Sequence, residues 1–217
     1  MPKAFRGVTL VELLVAIILI FVVILGLSSI EIFSRTHLIG SSRRSLLQNE
    51  LSHSLEHMSK NIVQASGNQL SATNQPIQLI TNGFSVQTDP NQTPQDLADD
   101  LIYSYCLGCV GSAATKPNTL SVACAPASTG HASPAACPTG ADTVLSTHIN
   151  PGVVTSTIMP ENNPAKGFYI NITENGTTVE VGLVAKYMPS ASSADISTNN
   201  PQIQMKNRLQ ARNVSTR

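Results

Sequence analysis

Hydrophobic positions along the chain fall into three regimes. From 13 to 30 the residues are uncharged and almost wholly apolar, with no polar face until Ser28. These eighteen residues would make roughly 27 Å of helix, close to the ~30 Å hydrocarbon core of a bilayer. A helix that is apolar all round belongs in lipid or in a core, not on a wet surface. In the second regime the apolar positions thin to Leu47, Leu51, Leu55, Met58 and Ile62. Spacings of four, four, three and four trace one face of a helix. Arg43, Arg44, Gln48, Glu50, Ser52, Ser54 and Lys60 cover the rest. Gly40-Ser41-Ser42 interrupts the pattern weakly and is a candidate bend, and Ser66-Gly67-Asn68 supplies the stop. One helix is therefore predicted from about Thr9 to Ala65, half in lipid and half under a globular domain.

After Gly67 the period shortens to two. Residues 77–80 and 84–87 flank Thr81-Asn82-Gly83, where Asn-Gly predicts a hairpin turn. A third strand is predicted at 101–105. Residues 143–149 and 153–158 bracket the turn Asn150-Pro151-Gly152, and 167–173 and 178–187 flank a second Asn-Gly hairpin at 174–177. Ile203, Met205, Leu209 and Ala211 share one parity and predict a last strand. Between them, 108–140 is rich in Ala, Ser, Thr, Pro and Gly; it reads as an irregular loop with a short strand at 119–123. A helix followed by strands predicts an α+β fold, a long spine helix packed on an antiparallel β-sheet.

Composition narrows the function. There are 13 basic and 13 acidic residues, net charge zero, so the footprint of a nucleic-acid binder is missing. Trp is absent and aromatics are scarce, against a groove that stacks sugars or bases. Lys3 and Arg6 precede the apolar run while Arg35, Arg43 and Arg44 follow it, so charge does not set the orientation. Long domains translocate largely regardless of charge, and the cysteines suit export. The domain after the span is placed outside.

Glu12 is the unusual residue, an acid at the lip of the span, where a carboxylate is costly unless paired. The small residue that ends the basic lead-in, Gly7, lies before the apolar run, whereas a secretory signal is cut after it. Gly7-Val8-Thr9-Leu10-Val11-Glu12-Leu13-Leu14-Val15-Ala16 resembles the prepilin motif of type IV pilins and type II secretion pseudopilins. The resemblance implies cleavage by a prepilin peptidase between Gly7 and Val8, N-methylation of Val8, and an assembly role for Glu12, paired with the N-terminus of a neighbouring subunit. Val8 stands where Phe or Met is commoner in that family. The helix end 51–65 and the ending Arg208-Leu-Gln-Ala-Arg-Asn213 are similar to larger minor pilins and minor pseudopilins. The implied layout is a leader at 1–7, a transmembrane and filament-core helix at 8–30, its amphipathic continuation at 31–66, and a β-rich head at 67–217 with a cysteine-containing loop at 106–140.

Three groups of residues offer other chemistry. Cys106, Cys109, Cys124 and Cys137 form one C-x2-C pair and two singles. An even count in an exported domain reads as two disulfides of unknown connectivity; a zinc site lacks its second C-x2-C, and a redox pair would want a helix where a strand is predicted. His53-Ser-Leu-Glu56-His57 matches the inverted zinc-protease pattern, but the helix turns its apolar face elsewhere, so both histidines are expected at the flank or in solvent, as solvated residues with no third ligand identifiable. Asp89, Asn91, Asp96 and Asp100 echo a calcium loop whose turn position holds Pro94 instead of Gly. His37, His131 and His148 are isolated, and four N-x-S/T sequons begin at Asn91, Asn171, Asn175 and Asn213.

The sequence thus reads as a structural subunit, a minor pilin or pseudopilin of a type IV pilus or type II secretion filament, with no cofactor and no enzymatic activity of its own. Its expected partners are prepilin peptidase, other pilins or pseudopilins, and the inner membrane before assembly; no nucleic acid is expected. The precursor is expected in the inner membrane with a periplasmic head, and the assembled form in a surface pilus or periplasmic pseudopilus. A major pilin is one alternative. A membrane-anchored exported metalloenzyme using His53, Glu56 and His57 is another.

Overall fold

The structure, a computed structural model, describes residues 9–68, 75–91, 100–108, 117–126, 143–155, 157–161, 166–173, 176–189 and 200–215. Its first element is a single unbroken helix, α1, Leu10–Val63. The weak interruption at Gly40-Ser41-Ser42 does not break it: the helix continues through these residues, and Gly40 is buried. The helix ends at Gln64, whose amide still donates to Lys60 O. The predicted stop then becomes a short strand, β1, Ser66–Asn68.

The strands form two principal sheets rather than the one predicted. The first holds five strands in the order β2-β3-β4-β5-β6: Ile77–Ile80, Gly83–Thr88, Leu101–Leu107, Leu120–Pro126 and Thr143–Ser146. All its neighbours are antiparallel. The predicted hairpin is present, with Asn82 in the left-handed region at φ 59°. Gly83 is needed for a different reason: a Cβ there would overlap the Tyr105 carbonyl of the next strand. The second sheet has the order β10-β9-β8-β7, with β7 Val153–Thr155, β8 Phe168–Thr173, β9 Thr178–Lys186 and β10 Gln202–Gln210. Here β7 runs parallel to β8. The turn at Asn150-Pro151-Gly152 therefore does not close a hairpin; it carries the chain from one sheet to the other. A third, two-stranded pairing joins β1 in parallel to β11, Asn213–Ser215, and brings the chain's end back to the foot of the helix.

Both sheets share one core with the helix. Leu47, Leu51, Met58 and Ile62, the predicted stripe, are fully buried, and Leu55 nearly so. They meet Phe84, Val86, Tyr105, Leu120 and Val122 of the first sheet and Phe168, Ile170, Val181, Leu183 and Ile203 of the second. Phe84 stacks on Tyr105 at 5.1 Å and leans on Phe168 at 6.1 Å, joining the two sheets. Alternation along each strand puts these side chains inward. The outward side of the second sheet has its own small cluster, Met159, Tyr169 and Val184.

Candidate functional site

The helix starts with a reciprocal cap. Thr9 is the N-cap, in extended conformation (φ −78°, ψ 150°), and Glu12 is the third helical residue. Glu12 N donates to Thr9 Oγ1 at 3.3 Å, while Thr9 N and Thr9 Oγ1 donate to Glu12 Oε2 at 3.0 and 3.2 Å. Such a box satisfies helix-end N–H groups that lack internal partners. It also keeps the Glu12 carboxylate at the helix start, with one oxygen bonded to its own chain. Gly7 and Val8 lie outside the described residues.

From Thr9 to Ile39 every residue is exposed. Phe21 shows 63% of its surface and Leu25 67%. Among the described residues nothing covers this length, and it is long and apolar enough to cross a membrane. Its far end carries a local ion pair, Arg35 with Glu31 at 2.5 Å. The site is therefore a bare apolar rod with a capped acid at its tip. Chemically it can do two things: dissolve in hydrocarbon, or pack against other apolar helices.

Comparison with protein families finds the same region. Residues 2–28 match a family model described as the prokaryotic N-terminal methylation motif. This chain carries the signature of type IV pilins and pseudopilins. The match takes in the prepilin motif's Gly7, Val8 and Glu12 and stops within the span. Comparisons with curated proteins and with solved structures gave no match. The prepilin motif marks a pilin- or pseudopilin-like precursor, and its apolar helix fits a membrane-anchored one.

The competing groups are not brought together. His53 and Glu56 are exposed, but His57 is not the solvated residue expected. Its Nδ1 lies 2.9 Å from the buried Tyr105 hydroxyl, which also accepts from Asn61 Nδ2 at 2.7 Å. The hydroxyl donates its single proton to the His57 carbonyl at 3.2 Å, which leaves its oxygen to accept from Asn61 and from an Nδ1–H. Burial lowers the His57 pKa, and the nearby charges of His53 and Lys60 lower it further. Burial holds the Tyr105 phenol well above its ordinary range. The H-x-x-E-H pattern thus yields a packed structural imidazole. Among the described residues no group of three or more His, Cys, Asp or Glu is arranged to hold a metal.

Asp89 and Asp100 flank the loop between β3 and β4; Asp100 is buried and accepts from Gln87 Nε2 at 2.5 Å, Asn91 is exposed, and Asp96 lies outside the described residues. Of the cysteines, Cys106 is buried on β4 and Cys124 exposed on β5, so both sit on strands instead of in the predicted loop. Cys109 and Cys137 lie outside the described residues.

One cluster escaped sequence reading. Glu50 of the helix accepts from Ser146 Oγ at 2.7 Å and meets His148 Nδ1 at 3.0 Å. His148 stacks on Tyr187 at 5.7 Å, and the Arg43 guanidinium lies 4.4 Å from the centre of the same ring. This clasp fastens the head to the helix near the end of its exposed apolar stretch. In the sequence His148 is isolated and Arg43 and Glu50 read as polar cover of the helix; the signal that joins them is a contact between positions about a hundred residues apart.

Proposed function

We propose that the chain is a minor pilin or pseudopilin, a structural subunit of a type IV pilus or type II secretion filament. Prepilin peptidase cuts the precursor between Gly7 and Val8, and Val8 becomes the methylated N-terminus. The inner membrane holds the apolar helix until assembly, with the head in the periplasm. Sibling subunits then replace lipid around residues 13–30, and the Glu12 carboxylate meets the Val8 ammonium of a neighbour. A buried pair of this kind acts mainly on register, because desolvation offsets most of its attraction. The observation that supports this reading is the bare apolar half-helix ending in the matched motif, with an acid held at a defined place by Thr9.

The reading assigns Glu12 to assembly and not to processing. Glu12→Ala, expressed from its own locus, is expected to leave cleavage intact and to lower incorporation into sheared filaments at least tenfold. Normal incorporation of the variant would remove Glu12 from the account.

A further inference from the structure

The exposed apolar surface of α1 continues past the point where a bilayer would end. The uncharged run 13–30 makes about 27 Å of helix, nearly the whole ~30 Å hydrocarbon core, and Glu31 closes it. Ile32, Ile39 and Leu46 lie beyond Glu31, yet they are 68%, 46% and 43% exposed. They follow Leu25 at steps of seven residues. Seven residues are close to two helical turns, so the four side chains form one line along the rod. The line drifts by about 20° per step, a drift that two helices remove by winding around each other left-handedly. The head covers a different face, through Leu47, Leu51, Met58 and Ile62. Lipid does not cover the line either. Leu46 stands about 24 Å of helix past the run, whereas a headgroup layer adds only about 5–8 Å.

Polar residues along this line are either satisfied or turned away from it. Ser29 Oγ donates to Leu25 O and Thr36 Oγ1 to Ile32 O, both at 2.9 Å, so neither brings an unpaired donor to a contact. Arg35 is ion-paired with Glu31 of its own chain, and Arg43 lies over the Tyr187 ring. Ser28 and Ser42 stand between the apolar residues and are small enough for a second helix to come close. We propose that the occupant of this line is a second copy of the chain, paired parallel and in register while both are still held in the membrane. The proposal rests on the membrane anchorage given under the proposed function. Copies anchored by the same span enter the bilayer in one direction and to one depth. The line on one copy therefore meets the same residues at the same height on the next, Ile32 against Ile32 and Ile39 against Ile39. Such a pairing is two-fold symmetric and uses one surface patch on both partners. It starts outside the bilayer and precedes any exchange of lipid for siblings around residues 13–30.

The test uses two differently tagged full-length copies, co-expressed in cells whose surface filaments have been sheared off. A photo-crosslinking amino acid is placed at position 32 or 39, on the line, or at position 34 or 41, exposed on the opposite side of the helix. Irradiated membranes are expected to give a product carrying both tags from 32 and 39, at least tenfold more of it than from 34 and 41. Ile39→Glu, which sets like charges against each other, is expected to lower the product from position 32 at least tenfold, while Ser41→Glu leaves it unchanged. Both variants should keep the head's melting midpoint, since neither residue is in the core. Products with lipid alone, products with a different protein in place of the second tag, equal yields on both sides of the helix, or a dimer indifferent to Ile39→Glu each overturn the proposal. The mass of the N-terminal peptide from the same membranes reports the filament reading separately. A Val8 start without the two-tag product sinks only this proposal, and a Met1 start with it sinks only the filament reading.

Discussion

One helix is used in two opposite ways. From Leu10 to Ile39 no side chain is buried by the chain itself; from Gly40 to Ile62 a regular stripe is buried to the limit. The second half is amphipathic, so its own head can satisfy it: one face meets two sheets and the other meets water. The first half is apolar on every side, and the described part of the chain leaves it exposed. Its burial has to come from lipid or from other chains. The head's packing therefore resides in the second half, and the proposed function places the drive to assemble in the first.

Matched truncations should expose that difference. Leu51 and Leu19 are the same residue type in the same helix, 0% and 59% exposed. Leu51→Ala removes core contacts and is expected to destabilise the head by about 2–5 kcal/mol. Leu19→Ala is expected to leave the head's melting midpoint unchanged. Thermal unfolding of both full-length variants in detergent, followed through the head's β-sheet signal, makes the comparison. Equal losses would show that the two halves are not energetically separate.

A smaller effect comes from the polar contact between helix and sheet. Tyr105→Phe keeps the ring packed on Phe84 but strips the acceptor from Asn61 and His57. A buried donor left unsatisfied costs about 1–3 kcal/mol, so the denaturation midpoint should fall accordingly. An unchanged midpoint would mean that water replaces the hydroxyl.

The smallest expected effect is a pH dependence of the same contact. His57 has its pKa lowered in the folded protein, chiefly by burial. The folded state then binds fewer protons than the unfolded state, so stability rises with pH across the window between the two pKa values. The contribution is complete above the unfolded value of about 6.5 and is lost as pH falls through the folded one. Melting midpoints from pH 7 down to pH 5 should therefore decline less steeply for His57→Gln than for the parent protein. Parallel curves would assign the decline to other groups.

How far the sequence reached follows the same division. The spine helix was legible from end to end because its cues are local: an uncharged apolar run, then apolar residues at helical spacing, then Ser66-Gly67-Asn68 as the stop. The Asn82-Gly83 hairpin was legible for the same reason. The partition into two sheets was not, because the turn at Asn150-Pro151-Gly152 has the same composition whether it reverses a hairpin or changes sheets. The parallel pairing of β1 with β11 joins three-residue strands from distant parts of the chain, and neither carries a periodic pattern. At the candidate site, Glu12 and the span could be read directly, since function there rests on what the chain does not cover. His57 was misread as solvated because its partner lies 48 residues away on a strand. Cys124 looked like a loop residue until the register placed it opposite Tyr103.

The central claim is that residues 9–39 are a handle left on the mature protein after its leader has been removed. Mass spectrometry of the N-terminal peptide of the protein recovered from cells tests this most directly. The account predicts a chain that begins at Val8 and carries one added methyl group on its amine. A chain that still begins at Met1, or one that begins beyond the apolar run, would contradict it.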